Sequence, residues 1–97
     1  MATTIYDDAT RWRIWDKATK IQGYDPKYWR YDVCGAPMCW SDYGNTDSKY
    51  GWEIDHIWPE SKGGSDNIDN LRALQWENNR AKGDSVDPHW SCAVGRK

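Results

Sequence analysis

Tryptophan is the residue that most constrains what this chain can fold into. Eight tryptophans and six tyrosines occur among 97 residues, and phenylalanine is absent. A chain of this length removes only a modest fraction of its surface from water, so its core has to be dense. Each indole or phenol ring also carries a polar atom that needs a partner when the ring is buried. We therefore expect one small domain with an aromatic core, spanning residues 1–97.

Composition and charge exclude several classes of protein. The chain has no long apolar run, which excludes a transmembrane helix, and its start, MATTIYDDATRWR, lacks the apolar segment of a secretory signal. A formal net charge of -2 does not suit a protein that wraps nucleic acid electrostatically. Carboxylates that hold a metal, however, contribute negative charge to a nuclease site. The odd number of cysteines argues for a reducing compartment, so we predict a cytoplasmic protein with no membrane partner.

The first half of the chain carries one helical pattern. Apolar residues at steps of three and four predict an amphipathic helix over residues 4–21 that ends at Gly23: Ile5, Ala9, Trp12, Trp15 and Ala18. We expect Trp12 and Trp15 to belong to the core. Pro26 directly after Asp25 predicts a capped single helical turn.

In the second half of the chain, extended segments alternate with loop segments. VCGAPMCW and YGWEIDHI read as extended, and WPESKGGSD has to be a loop because of its proline and two glycines. NLRALQ predicts another strand, and WENNRAK a helix that stops at Gly83. The predicted fold class is α+β: an N-terminal supporting region (1–48), a strand–loop–strand–helix unit (49–84) and a loose tail (85–97).

Asp55 and His56 are the first candidates for chemistry. Adjacent residues of a regular strand face opposite sides, so both serve one site only if the strand bends or ends there. A hairpin folded onto the following helix would bring the Asn79 amide oxygen opposite the Asp55 carboxylate. Two hard oxygen ligands that leave the remaining positions to water and phosphate suit magnesium. A neutral His56 can then take a proton from an attacking water.

The run WEIDHIWPESKGGSDNIDNLRALQWENNRAKGD resembles the HNH endonucleases. This resemblance implies a ββα-metal core in which His56 is the general base and Asp55 and Asn79 are the metal ligands. It assigns Asn70 the task of fixing the loop that carries the base. The last position of the motif is asparagine instead of histidine, as in the HNH domains of RNA-guided CRISPR effector nucleases.

The resemblance implies a metal-dependent endonuclease that hydrolyses phosphodiester bonds in DNA. We expect Mg²⁺, or Mn²⁺ in its place, as the cofactor, and a partner protein is a candidate for targeting. Three cations near the motif are candidates for phosphate contacts: Arg72, Arg80 and Lys82. An RNase or tRNA-cleaving effector of the same fold, and a non-catalytic nucleic-acid-binding module, are the alternatives.

The cysteines depart from the family pattern. Many members carry a zinc ribbon whose second cysteine pair would here fall on Gln75 and Asn78. We therefore expect no structural zinc, with tryptophan packing in its place. The spacings of CGAPMC and HWSC leave one alternative open, a zinc site formed by Cys34, Cys39, His89 and Cys92.

Overall fold

The computed structural model describes residues 6–95 of the protein. In this range the chain forms two α-helices and two antiparallel sheets, which confirms the α+β class. Strands β1, β2 and β3 make one sheet in that order, and β4 pairs with β5 in a hairpin followed by α2. The elements are α1 (Asp8–Trp15), β1 (Thr19–Lys20), β2 (Trp29–Tyr31), β3 (Pro37–Cys39), β4 (Trp52–His56), β5 (Leu71–Gln75) and α2 (Trp76–Lys82).

Helix α1 is shorter than the predicted helix over residues 4–21, whose first residues, including Ile5, lie outside the described part of the chain. The Asp7 carboxylate caps its start by accepting from the Thr10 amide at 2.8 Å. The helix ends at Trp15 because the Arg30 guanidinium takes the carbonyls of Asp16 and Ala18, at 3.2 and 2.9 Å. The chain then leaves the helix for β1 instead of continuing to Gly23.

The sequence pattern predicts one strand of the three-stranded sheet and misses two: β3 lies within VCGAPMCW, which is expected to be extended, whereas β1 and β2 are not predicted. The turn predicted at Asp25 is present, since the Asp25 carbonyl accepts from the amides of Tyr28 and Trp29. It leads directly into β2, which pairs with β1 and β3. Strands of two and three residues are too short to carry a periodic pattern.

Indole rings form the centre of the core, as predicted. Trp15 and Trp52 are fully buried, with their ring centroids 4.9 Å apart, and the half-buried Trp12 stacks on Trp40 at 3.6 Å. The Trp15 Nε1 donates to the Pro26 carbonyl, and the Trp52 Nε1 to the Trp40 carbonyl. Each buried indole therefore keeps a hydrogen bond, which removes the cost of burying its N–H.

A polar network occupies Gln75 and Asn78, where the second cysteine pair of the family would fall, so hydrogen bonds and not tryptophan packing join the chain segments at these positions. Asn78 is fully buried, and its Nδ2 donates to the Asp32 carboxylate at 2.9 Å. The same carboxylate oxygen accepts from the Gln75 amide, and the Gln75 side chain caps α2. The Asn78 side chain and the Gln75 backbone amide thus link α2 to the β2–β3 connection.

A disulfide joins Cys34 to Cys92. This bond rules out the zinc site built from Cys34, Cys39, His89 and Cys92, and it removes the argument for a reducing compartment, because Cys39 alone is free. The described part of the tail, residues 85–95, is tied to the rest of the chain: besides the disulfide, the Asn78 Oδ1 accepts from the backbone amides of residues 93 and 94. Among the described residues, no helix is long and apolar enough to cross a membrane.

Candidate active site

The end of β4 places Asp55 and His56 at one pocket. The strand stops at His56, and Pro59 and a short 3-10 turn follow. This ending lets the two adjacent residues line the same open pocket, of about 250 Å³, together with Asn79 from α2. The expected condition for a shared site, a strand that ends after the Asp–His pair, is therefore met. The remaining walls come from the loop after β4 and the residues after α2: Ile54, Pro59, Glu60, Ser61, Gly83 and Asp84.

Asp55 is a buried carboxylate between two cations. Its Oδ2 accepts from the Arg72 Nε at 2.9 Å, and its Oδ1 lies 3.1 Å from the Lys82 Nζ. The hairpin register sets the first contact, because Arg72 is the direct cross-strand partner of Asp55. Lys82 is also buried and donates to the His56 carbonyl at 3.0 Å. Both cations are thus engaged by Asp55 and would have to leave it to reach a phosphate.

Asn70 clamps the loop that follows His56. Its Oδ1 accepts from the Trp58 amide at 2.8 Å, and its Nδ2 donates to the carbonyls of Trp58 and Ser65 at 3.1 and 2.8 Å. The glycine pair completes this turn: Gly63 is left-handed, and a Cβ on Gly64 would overlap the Trp58 carbonyl oxygen. Asn70 does not line the pocket. Its contacts are those of a residue that shapes the loop.

Asn79 turns its amide nitrogen toward β4. The Asn79 Nδ2 donates to the Glu53 Oε1 at 3.0 Å, so the hydrogen bonds within the described residues leave its Oδ1 without a donor. The other Glu53 oxygen lies 3.4 Å from the Arg80 guanidinium, which is largely exposed. Of the three candidates for phosphate contacts, Arg80 is the most exposed: 61% of its side chain is accessible, against 20% for Arg72 and 2% for Lys82.

His56 has a partner that the sequence pattern did not indicate. Its Nε2 lies 2.7 Å from the Asp66 Oδ1, and the Tyr6 hydroxyl donates to the same oxygen at 3.3 Å. Burial, reinforced by the charge of Asp66, raises the pKa of Tyr6 to about 12. Asp66 lies ten residues beyond His56 in a loop, and a spacing across a loop carries no signal that would have identified it.

One family model covers more than half of the chain. The model described as HNH endonuclease matches residues 33–85, which include both strands of the hairpin, the clamped loop and α2. The chain belongs to the HNH endonuclease family. Comparison with curated proteins and with solved structures found no match.

Membership of the HNH family supports a nuclease-type function that acts on nucleic acid and generally uses a divalent metal. The HNH match begins at residue 33, well before the expected start of the motif at residue 49. It therefore includes β3 and the loop that carries Cys34. Asp32, the residue directly before this additional segment, joins it to α2 by accepting a hydrogen bond from Asn78.

The donor set at the pocket fits a divalent cation. Asp55, Asn79 and Glu60 offer oxygen atoms, which hard cations such as Mg²⁺ prefer. The Asp55 carboxylate already accepts from Arg72 and Lys82, but two carboxylate oxygens provide about four lone-pair positions, so these contacts do not exhaust it. Residues that could hold an ion therefore line the same pocket as His56.

Proposed function

We propose that this HNH domain is a metal-dependent endonuclease that hydrolyses phosphodiester bonds in DNA. The observation that carries the proposal is the pocket shared by Asp55, His56 and Asn79. An imidazole beside two oxygen donors is the minimum set for hydrolysis of a phosphodiester, because one group activates water and the others hold a cation at the phosphate. The choice of DNA as substrate and of Mg²⁺ as the ion rests on the resemblance.

Asp55 and Asn79 would hold the ion, which when bound polarises a phosphoryl oxygen and stabilises the leaving alkoxide. The Asp55 carboxylate would bind it while keeping the hydrogen bond to Arg72. The Asn79 Oδ1 is available because the Nδ2 of the same side chain is held by Glu53. The arrangement requires few protein ligands, as Mg²⁺ sites with several bound waters do.

His56 would take the proton from the attacking water. A neutral imidazole carries a lone pair that can accept a proton from water, so it can act as a general base. Asn70 would hold the loop so that the base keeps its position. Arg80, which is exposed beside the pocket residue Asn79, would contact a flanking phosphate without reading a base.

The test is cleavage of a supercoiled plasmid with Mg²⁺ and with chelator, comparing the parent with His56→Ala. His89→Ala is the matched control, because His89 is the second histidine of the chain and is exposed in the tail. We expect the parent and His89→Ala to cut only with metal, and His56→Ala to be slower by about 100-fold or more.

Two results would contradict the proposal: a parent that does not cut DNA, or a His56→Ala variant that cuts at the parent rate. An arm with structured RNA in place of the plasmid separates the substrates. Cleavage of RNA alone would reassign the domain to the RNase alternative. Binding of either nucleic acid without cleavage would support the non-catalytic module.

A further inference from the structure

We propose that Asp66 is the positioning residue of the general base: it fixes neutral His56 as the Nε2–H tautomer and leaves Nδ1 as the nitrogen that accepts the proton of the attacking water. The inference rests on the proposed function, in which His56 is the base. Asp66 is not one of the four residues that the resemblance assigns to the site, which are Asp55, His56, Asn70 and Asn79.

The hydrogen bond between the two side chains sets the tautomer. The His56 Nε2 and the Asp66 Oδ1 are 2.7 Å apart, and an ionised carboxylate can only accept. A neutral imidazole carries one N–H and one lone pair, so Nε2 has to donate and Nδ1 has to hold the lone pair. The same hydrogen bond also restricts rotation of the ring.

Asp66 is itself held from two sides, although its side chain is 55% exposed. The Tyr6 hydroxyl donates to the Asp66 Oδ1, and a tyrosine hydroxyl is protonated at neutral pH. The preceding residue, Ser65, is fixed through its carbonyl, which accepts from the Asn70 amide at 2.8 Å. Asn70 therefore restrains the loop beside His56 at two points: at the backbone of Trp58, and at the Ser65 carbonyl next to Asp66.

One competing role for Asp66 has to be separated from positioning. The ligand atoms of His56, Glu60 and Asp66 lie within 4.8 Å of one another, so these side chains could also chelate a cation. Chelation would occupy a ring nitrogen of His56 and make Asp66 a ligand. The two roles differ in one measurable way: positioning leaves metal affinity unchanged when Asp66 is removed.

The first experiment reads the tautomer without requiring activity. Long-range ¹H–¹⁵N correlation spectra of the ¹⁵N-labelled full chain are recorded in chelator, about two pH units above the ordinary histidine pKa. We expect His56 to show a directly observed Nε2–H proton and an unprotonated Nδ1. Asp66→Ala should lose that proton signal to exchange, Asp66→Asn should keep part of it through its amide oxygen, and Asp69→Ala, an exposed acid of the same loop, should match the parent.

The second experiment measures plasmid cleavage and Mg²⁺ binding by calorimetry on the same variants. Removal of an outer partner of this kind typically costs about 10- to 100-fold, and we expect that loss in kcat for Asp66→Ala with KM and metal affinity unchanged. Asp66→Asn should recover part of the rate.

Three results would overturn the inference: a parent His56 that carries its proton on Nδ1, a parent-like kcat in Asp66→Ala, or weaker Mg²⁺ binding in that variant, which would make Asp66 a ligand. A parent that cuts no nucleic acid would contradict the proposed function instead. In that case the spectra alone would still decide which nitrogen carries the proton.

Discussion

Asp55 is a buried carboxylate whose charge is balanced by two cationic side chains. Its carboxylate is buried, and the Arg72 and Lys82 groups that neutralise it lie at 2.9 and 3.1 Å. A buried carboxylate without partners would carry a large desolvation cost. Arg72 and Lys82 offset this cost and hold the Asp55 carboxylate in place at the pocket.

The first prediction concerns Lys82, whose ammonium group contacts both Asp55 and the His56 carbonyl. Lys82→Met keeps the aliphatic stem but leaves part of the buried carboxylate unpaired, so we expect the free energy of unfolding to fall by about 3 kcal/mol. Urea denaturation of the purified variant measures this change. Lys62→Met is the control: Lys62 is half-exposed and 4.0 Å from Asp84, and its loss should cost less than about 1 kcal/mol. Equal effects of the two substitutions would contradict the structural role of Lys82.

The sequence could predict the residues whose spacing is set by regular elements. Asp55 and His56 end a strand and Asn79 lies in the helix after the hairpin, so a strand–loop–strand–helix pattern brings them together. Asp66 and Tyr6 were not predicted, because one lies in a loop and the other precedes α1, and no periodicity relates either to His56. The roles assigned to the site residues remain predictions until the variants are measured.

At the scale of elements, the loop between β4 and β5 is the part of the hairpin that determines the site. It runs from Ile57 to Asn70, and its ends meet where the Ile57 amide donates to the Asn70 carbonyl at 2.8 Å. Three further hydrogen bonds from the Asn70 side chain fold the loop back on itself. One asparagine therefore determines the shape of the segment that presents Glu60 and Asp66 to His56.

The second prediction follows from this clamp. Asn70→Ala removes all three side-chain hydrogen bonds, whereas Asn70→Asp keeps the acceptor for the Trp58 amide and loses both donors. We expect kcat to fall by about 10- to 100-fold in Asn70→Ala and less in Asn70→Asp, with melting temperatures that show both variants folded. Asn45→Ala, in an exposed turn where Asn45 accepts one local hydrogen bond, should cut like the parent. Full activity of Asn70→Ala would show that the loop keeps its shape without the clamp.

The predicted helices and strands agree with the structure where the hydrophobic pattern is long and proline or glycine marks its ends. The hairpin and α2 were predicted because proline, two glycines and a terminal glycine mark their boundaries. Helix α1 was predicted too long, because the apolar pattern continues to Ala18 while the contacts that end the helix come from Arg30, twelve residues further on. Sequence patterns report local preference, and long-range capping of this kind overrides them.

At the scale of the whole molecule, two cross-links hold the tail and the first sheet to the nuclease motif. The disulfide from Cys34 to Cys92 closes a segment of 58 residues, and the Asp32–Gln75–Asn78 network ties α2 to the same region. A small domain has a limited core and depends on such links for stability. The cysteine count could not reveal the pairing, because an odd number does not exclude one disulfide beside a free thiol.

The charge of the whole molecule limits how many phosphates of a nucleic acid it can contact. A net charge of -2 leaves few cations for phosphate, and two of the three near the site are engaged by Asp55. We therefore propose that the domain alone contacts few phosphates and has low sequence preference. A partner protein that brings it to its target is consistent with this distribution of charge.

In the proposed mechanism Asp55 and Asn79 hold the ion, and His56 takes the proton from the attacking water. The measurement that tests it most directly is calorimetric titration of Mg²⁺ into the parent, His56→Ala and Asn79→Ala, with plasmid cleavage measured on the same samples. Loss of a ligand oxygen worth about 1.4 kcal/mol weakens binding tenfold. We predict at least this loss in Asn79→Ala, and parent-like binding without cleavage in His56→Ala. Parent-like binding by Asn79→Ala, or lost binding in His56→Ala, would contradict the account.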